Sequence, residues 1–256
     1  MSEVQFSILL PAFIAGLLVI STHVPLGTVV LARGIVFIDI AIAQIAGAGV
    51  IAADLMGFEA EHGIGVGVQL SALSAALGGA LLLTWTEKKW PRYQEAIIGS
   101  VFILAATAEI IMLAENPHGG EYLRQLLVGQ ILWVSNSQLL LVAVLSAVIC
   151  TAWYGAGEQR LGRIGFYLLF GLAVTASVQM VGIYLVFASL IIPALATRDA
   201  QSYRMFKAYI VGSLGYGFGL LVSLYTDLPT GAVIVWALAV VGIIASSVEK
   251  GRPHAA

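Results

Sequence analysis

Apolar runs about as long as a bilayer is thick follow one another along this chain with hardly a polar interval between them. A helix needs roughly 20 apolar residues to cross the hydrocarbon core. Such runs lie near 7–31, 35–56, 64–86, 95–114, 137–154, 164–180, 182–197, 206–226 and 229–248. The sequence therefore predicts an all-α, polytopic membrane protein with about nine transmembrane helices, and treats residues 1–256 as a single transmembrane domain. The sixth and seventh runs, 164–180 and 182–197, form one stretch too long for a single crossing, and are divided near Gln179–Gly182. The segment 123–135 is apolar but short, which fits an interfacial or re-entrant helix better than a span. With 60% hydrophobic and 10% charged residues, no stretch is polar enough to fold as a separate soluble domain. The net charge of −2 argues against a nucleic-acid partner, and the single cysteine, Cys150, excludes an intrachain disulfide or a Cys-based zinc site. The N-terminus lacks a positive n-region, so the first run is expected to be a retained span.

Charge supplies an orientation. With the N-terminus outside and the C-terminus inside, the cytoplasmic segments hold Arg33, Lys88, Lys89, Arg92, Arg160, Arg163, Arg198, Arg204, Lys207, Lys250 and Arg252, and of the twelve basic residues only Arg124 falls outside. That is the bias of the positive-inside rule. The outer loops are acidic, with Glu59, Glu61, Glu115, Glu121 and Asp227.

Ionisable side chains inside spans are costly and point to function. His23 stands in the middle of the first span, before Pro25-Leu26-Gly27, where a proline and a glycine are expected to break or kink the helix. Asp39 lies early in the second span, Asp54 near its outer end, and Glu109 in the outer third of the fourth; Gln44, Gln69 and Gln179 are intramembrane but neutral. Asp39 either is a helix-start carboxylate that offsets the dipole or pairs with Arg33, or faces a central path as a ligand. His23 is either a hydrogen-bonded packing residue or an imidazole ligand; Glu109 either lines a pore or sits on a solvated rim. Imidazole and carboxylate together suit a divalent transition metal. Two outer clusters, Glu115/His118/Glu121 and Glu59/Glu61/His62, either attract cations or are ordinary solvated loops. No phosphate-binding G-x-x-x-x-G-K-[ST], no H-E-x-x-H and no G-x-S-x-G occurs. The cytoplasmic stretch 197–207, mixed in charge, is expected to form a helix along the membrane surface or a plain loop, and as a helix could dock into a soluble partner.

Three stretches carry a resemblance. Pro25-Leu26-Gly27, Arg33 and Asp39; Leu127-Val128-Gly129-Gln130-Ile131-Leu132-Trp133-Val134-Ser135; and Gln179-Met180-Val181-Gly182 through Leu190-Ile191-Ile192-Pro193-Ala194, with Asp227-Leu228-Pro229-Thr230-Gly231 after it. In this order they resemble the permease subunit of the bacterial ATP-binding-cassette importers of zinc, manganese or iron(II). The resemblance implies a multi-pass permease of the cytoplasmic (inner) membrane, itself no enzyme, paired as a homodimer with a cytoplasmic ATPase and served by an extracytoplasmic metal-binding protein. It implies no permanently bound cofactor, only a transported divalent metal ion, and makes 197–207 the coupling segment, with Arg198, Arg204, Met205 and Lys207 as its contacts. In that family the metal path uses an Asp and a His four residues later on the second span. Here Asp39 matches the Asp, but the position four residues later is Ala43, and Gln44 lies about 140° round the helix from Asp39. Either His23 supplies the missing imidazole, or metal contact is weaker or the substrate different. A secondary cation transporter or channel, and a permease for a metal chelate with a wider and less acidic site, are the competing readings.

Overall fold

The computed structural model describes residues 3–58 and 66–250; the cluster Glu59/Glu61/His62, and His254, lie outside them. Among the described residues the chain is helical throughout, in nine α-helices: α1 Glu3–Arg33, α2 Ile38–Leu55, α3 Val66–Lys89, α4 Gln94–Met112, α5 Gly119–Val128, α6 Asn136–Val181, α7 Ile183–Ala196, α8 Arg204–Thr226 and α9 Thr230–Lys250. α6 is two rods joined at a kink, because Gly157 and Gly162 both leave helical geometry. Counted that way, eight helices are long and apolar enough to cross a membrane. The ninth apolar run is α7, which has only 14 residues. At 1.5 Å per residue it is about 21 Å long, shorter than the hydrocarbon core of roughly 30 Å.

Local chemistry explains the boundaries. Ser135 starts α6 with a capping box: the Gln138 N–H donates to the Ser135 hydroxyl at 3.2 Å, and the Ser135 N–H donates to the Gln138 side chain at 2.9 Å. Gly182 ends it, at φ 78° and ψ 162°, and α7 begins at the next residue. Few residues other than glycine adopt that conformation. Gly129, at φ 74°, ends α5 in the same way. The two glycines meet. A Cβ on Gly182 would stand 2.5 Å from the carbonyl carbon of Val128 and 2.8 Å from Cα of Gly129, so the two chain breaks cross backbone on backbone. The Gln130 N–H donates to the Met180 carbonyl at 3.2 Å beside the crossing. The segment 123–135 is thus the end of α5, the Gly129 break, and a 3-10 turn over Ile131–Trp133.

α1 does not break at Pro25; it continues from Glu3 to Arg33. Proline removes the N–H that would bond the carbonyl four residues earlier, that of Ser21. Two distant side chains occupy that carbonyl instead: the Tyr209 hydroxyl of α8 donates at 3.1 Å and the Cys150 thiol of α6 at 3.6 Å. Tyr209 is steadied by the Tyr154 hydroxyl at 2.9 Å. α1 packs on α6, α7 and α8, whereas α2 packs chiefly on α3 and α4, and α9 covers α7 and α8. The core between these groups is apolar, with Ile20, Leu26, Phe166, Phe170, Leu190 and Tyr216 buried. Large apolar side chains on the outer faces of α4, α6 and α8, such as Ile111, Leu140 and Leu214, are exposed. That is the pattern of a bundle whose outer solvent is lipid.

Candidate functional site

Of the ionisable groups that the sequence places inside spans, three are fully buried: His23 at 0%, Asp39 at 1% and Glu109 at 2% exposure. Asp54 is exposed at the end of α2. Buried polar atoms nearly always have partners, so their absence is informative here. Both carboxylate oxygens of Asp39 lack any donor, so of its alternatives a hydrogen-bonded pairing with Arg33 is not formed. The Arg33 guanidinium lies over the Phe166 ring at 4.4 Å. His23 Nδ1 is 2.9 Å from the Val19 carbonyl and 3.0 Å from the Thr22 hydroxyl. A carbonyl only accepts, so the Nδ1 proton points to Val19, and this tautomer leaves Nε2 as a free lone pair. Nε2 is buried and without a partner.

Glu109 is engaged differently. With the Gln44 carboxamide nitrogen facing α4, it donates to both Glu109 oxygens, at 2.6 and 3.2 Å. Gly47, one turn on, leaves the space the carboxylate occupies, and Leu126 of α5 packs over the same spot. Tyr122, also on α5, faces this corner; its burial, with Asp54 and Glu109 adding negative charge, holds its hydroxyl above the usual range. Gln44, adjacent to the position where a second ligand was expected, therefore serves α4 and not Asp39.

His23 and Asp39 stand on successive helices, α1 and α2. Ten residues of α1, roughly 15 Å of helix, separate His23 from Arg33, and Asp39 follows the turn beyond. Among the described residues no group of three or more His, Cys, Asp and Glu could hold a metal ion, so Glu115, His118 and Glu121 do not converge either. Glu121 pairs instead with Arg124 at 3.7 Å on the surface.

Above the Glu109 corner opens a cleft of about 550 Å³, lined by Gln69, Gln125, Gln130, Gln138 and Gln179 together with Trp133 and Tyr122. Gln69 of α3 donates to the Gln179 side chain of α6 across it. The sequence shows Gln69 and Gln179 as odd polar residues in apolar surroundings; that five glutamines share one wall depends on the docking of α5 and of the chain after Gly129.

At the opposite end, residues 197–203 form turns and bends, not the surface helix expected. Tyr203 takes the left-handed conformation, φ 53°, and α8 starts directly after it. Arg198 is exposed and paired with Asp199 at 3.3 Å. Tyr203 and Phe206 are 79% and 64% exposed, an aromatic pair at the tip of the link. Met205 packs against the core. Lys207 is bound at 2.5 Å to Glu249 of α9 and is only about a quarter exposed.

The family model described as the ABC 3 transport family matches residues 5–155 and 158–249. The chelated iron transport system membrane protein YfeC of Yersinia pestis is 24% identical over 201 residues, covering 70% of this chain and 68% of the relative. A probable metal transport system membrane protein of Thermotoga maritima is 27% identical over 254 residues, covering 91% and 86%. Among solved structures, PsaBC from Streptococcus pneumoniae in complex with Fab superposes with a TM-score of 0.75 at 19% identity, covering 93% of this chain and 90% of that one. An inward-facing conformation of a putative metal-chelate type ABC transporter superposes at 0.67 and 18% identity, covering 94% and 85%. At these identities the superpositions show the fold.

Proposed function

Because the chain belongs to the ABC 3 transport family, we propose that it is the membrane permease of an ATP-driven importer of a divalent transition metal, zinc or manganese, working as a homodimer with a separate cytoplasmic ATPase and an extracytoplasmic metal-binding protein. The observation that carries this reading is the pair of orphaned ligands in a bundle core: the donor-free carboxylate of Asp39 and the lone pair at His23 Nε2, both fully buried. Carboxylate and imidazole are ligands for such ions, and buried ligand atoms without protein partners suit a cargo that comes and goes. The relatives bear names of iron and metal transport.

In this proposal Glu109, Asp39 and His23 act as successive stations and not as one cage. Orientation follows from the charge count, with the N-terminus outside, in the bacterial inner membrane. α7 has to cross for the count to hold, because only then do Arg198, Arg204 and Lys207 reach the same side as Lys88, Lys89 and Arg163. Segment 197–207 would be the coupling contact. Arg198, Tyr203 and Phe206 offer the exposed face, while Arg204, Met205 and Lys207 root it in α8 and α9.

The test is metal uptake by proteoliposomes holding the permease with its ATPase and binding protein. Asp39→Ala and His23→Ala should each lower ATP-dependent uptake at unchanged assembly. Full uptake in both variants refutes the stations. Equal uptake without the ATPase would instead establish a secondary transporter or channel, and normal uptake with 197–203 replaced by a flexible Gly-Ser linker would remove the coupling assignment.

A further inference from the structure

The turn that joins α3 to α4 carries a cluster of cations that the ligand stations above do not use. Its face begins on α3. Leu81, Trp85 and Lys89 are spaced by four residues, so they share one side of the helix. Leu81 and Trp85 are both 51% exposed, and Lys89 is exposed beyond them. Successive members stand about 6 Å apart along the axis. Toward the end of α3 the stripe therefore reads alkyl, indole, ammonium. Hydrocarbon, interface and headgroup follow one another in the same order at the edge of a bilayer, and tryptophan is enriched at that interface.

The ammonium is held in place. Lys89 Nζ lies 5.0 Å from the centroid of the Trp85 ring and 4.6 Å from that of Trp90, two indoles set edge to face at 87°. The rings fix the cation without neutralising it, and an ammonium carries three N–H donors. The turn beneath is braced. Gln94 donates to the Leu83 carbonyl at 3.0 Å and accepts from the Thr86 hydroxyl at 3.0 Å, while the Trp90 N–H donates to the Thr86 carbonyl at 2.7 Å. Lys88 and Arg92, also exposed, flank Lys89. None of the ion pairs among the described residues engages Lys88, Lys89 or Arg92. The nearest carboxylates in sequence are turned inward: Glu87 and Glu95 each have one oxygen buried, and the other oxygen of Glu95 accepts from the Phe37 N–H at 3.3 Å.

Three unpaired cations at the end of an apolar stripe call for an anion that itself carries hydrocarbon. An acidic patch on a soluble protein would meet the cations but would leave Leu81 and Trp85 uncovered. We infer that this turn binds the phosphate of an anionic phospholipid. Lys89, between Trp85 and Trp90, is the fixed contact, Lys88 and Arg92 are the flanking ones, and an acyl chain lies along Leu81. The charge count that orients the chain puts the site in the cytoplasmic leaflet. The inference concerns the lipid around the bundle and does not depend on the cargo.

Native mass spectrometry of the permease–ATPase complex in detergent, titrated with dioleoyl phosphatidylglycerol, dioleoyl phosphatidylcholine or inorganic phosphate, reads the affinity. Each basic side chain near the membrane surface is worth about a fivefold attraction to anionic lipid. Phosphatidylglycerol should therefore bind about tenfold or more tighter than phosphatidylcholine, and inorganic phosphate should not displace it. Lys88→Gln combined with Arg92→Gln, both on exposed side chains where folding is little affected, should remove most of that preference. Arg160→Gln combined with Arg163→Gln takes the same charge from exposed positions at the kink of α6 and should change it less than twofold. Trp90→Leu keeps every charge and should weaken phosphatidylglycerol threefold or more, because Lys89 loses one of its two rings. Phosphatidylcholine bound as tightly as phosphatidylglycerol, displacement by inorganic phosphate, equal losses in the two double variants, or indifference to Trp90→Leu overturns the inference. Release of the ATPase by the Lys88/Arg92 double variant, with lipid binding unchanged, gives the surface to the ATPase and overturns it as well.

Discussion

The crossing of Gly129 over Gly182 yields the most sharply defined prediction, through three substitutions to alanine. Gly182 has φ 78° and ψ 162°; Gly157, in the kink of α6, has φ 73° and ψ 159°. Alanine at either position enters the same backbone region, at a strain of about 1–3 kcal/mol. The surroundings differ. Nothing lies within 4 Å of a Cβ at Gly157, whereas at Gly182 it would meet the Val128 carbonyl carbon at 2.5 Å and the Gly129 Cα at 2.8 Å. Those atoms are backbone and have no rotamer to escape into. Forcing them apart adds an overpacking term of about 1–3 kcal/mol, and the adjacent Gln130–Met180 bond, worth about 1 kcal/mol, goes with it. Gly182→Ala should therefore lose about 3–7 kcal/mol against about 1–3 for Gly157→Ala. Gly155→Ala is the counter-control: it sits in helical conformation with open space around it, and should gain about 0.5–1 kcal/mol. Reversible unfolding in mixed detergent micelles reads all three. Equal losses at Gly182 and Gly157 would refute the reasoning, because the crossing is all that separates them.

Tyr209→Phe should cost about 1 kcal/mol, as the Ser21 carbonyl keeps only a weak thiol donor; in a Pro25→Ala background, where a backbone N–H returns, that loss should shrink to the part owed to the Tyr154 bond, and a double-mutant cycle over the four proteins measures the coupling. Gln44→Leu should destabilise by about 1–3 kcal/mol by leaving the Glu109 carboxylate buried without a donor, while Gln44→Leu combined with Glu109→Leu should recover most of it in the same unfolding assay. Lys207→Met should cost about 1–2 kcal/mol, more than an exposed ion pair, because both partners are mostly buried; a change below 0.3 kcal/mol, roughly the noise of such measurements, would mean that the pair to Glu249 does not anchor α8.

Much of the fold is legible in the sequence because lipid imposes one rule on every span: the backbone must bond within itself. Long apolar runs thus give helix positions to within a few residues, and α2, α3, α8 and α9 begin and end near the expected places. The division of the long run at Gly182 is legible for the same reason, since a glycine at the end of one span is the cheapest point to leave the helix. Pro25 misleads because its unpaired carbonyl is served by Tyr209 and Cys150, 188 and 129 residues from Ser21; no local signal announces such donors. The link 197–203 departs from a helix because Tyr203 turns left-handed there, a conformation that nothing in Gln201-Ser202-Tyr203 requires. At the site, burial of His23, Asp39 and Glu109 follows from their place in apolar runs. The partnership of Gln44 with Glu109 does not, because it depends on which faces of α2 and α4 meet.

The two bonds at the start of α8 have a mechanical consequence. Lys207 fastens its first turn to α9, and Tyr209, half a turn further on, fastens it to the middle of α1. Two pins on neighbouring turns, pulling toward different helices, leave α8 no freedom to roll without tearing one of them. α1, α8 and α9 therefore travel as one stiff plate. α6 carries two single-residue joints, at Gly157 and Gly162, where an added Cβ would meet open space. A push delivered at Tyr203 and Phe206 would swing the plate as a whole, two residues of α1 away from His23, and the slack would be taken up at the glycines.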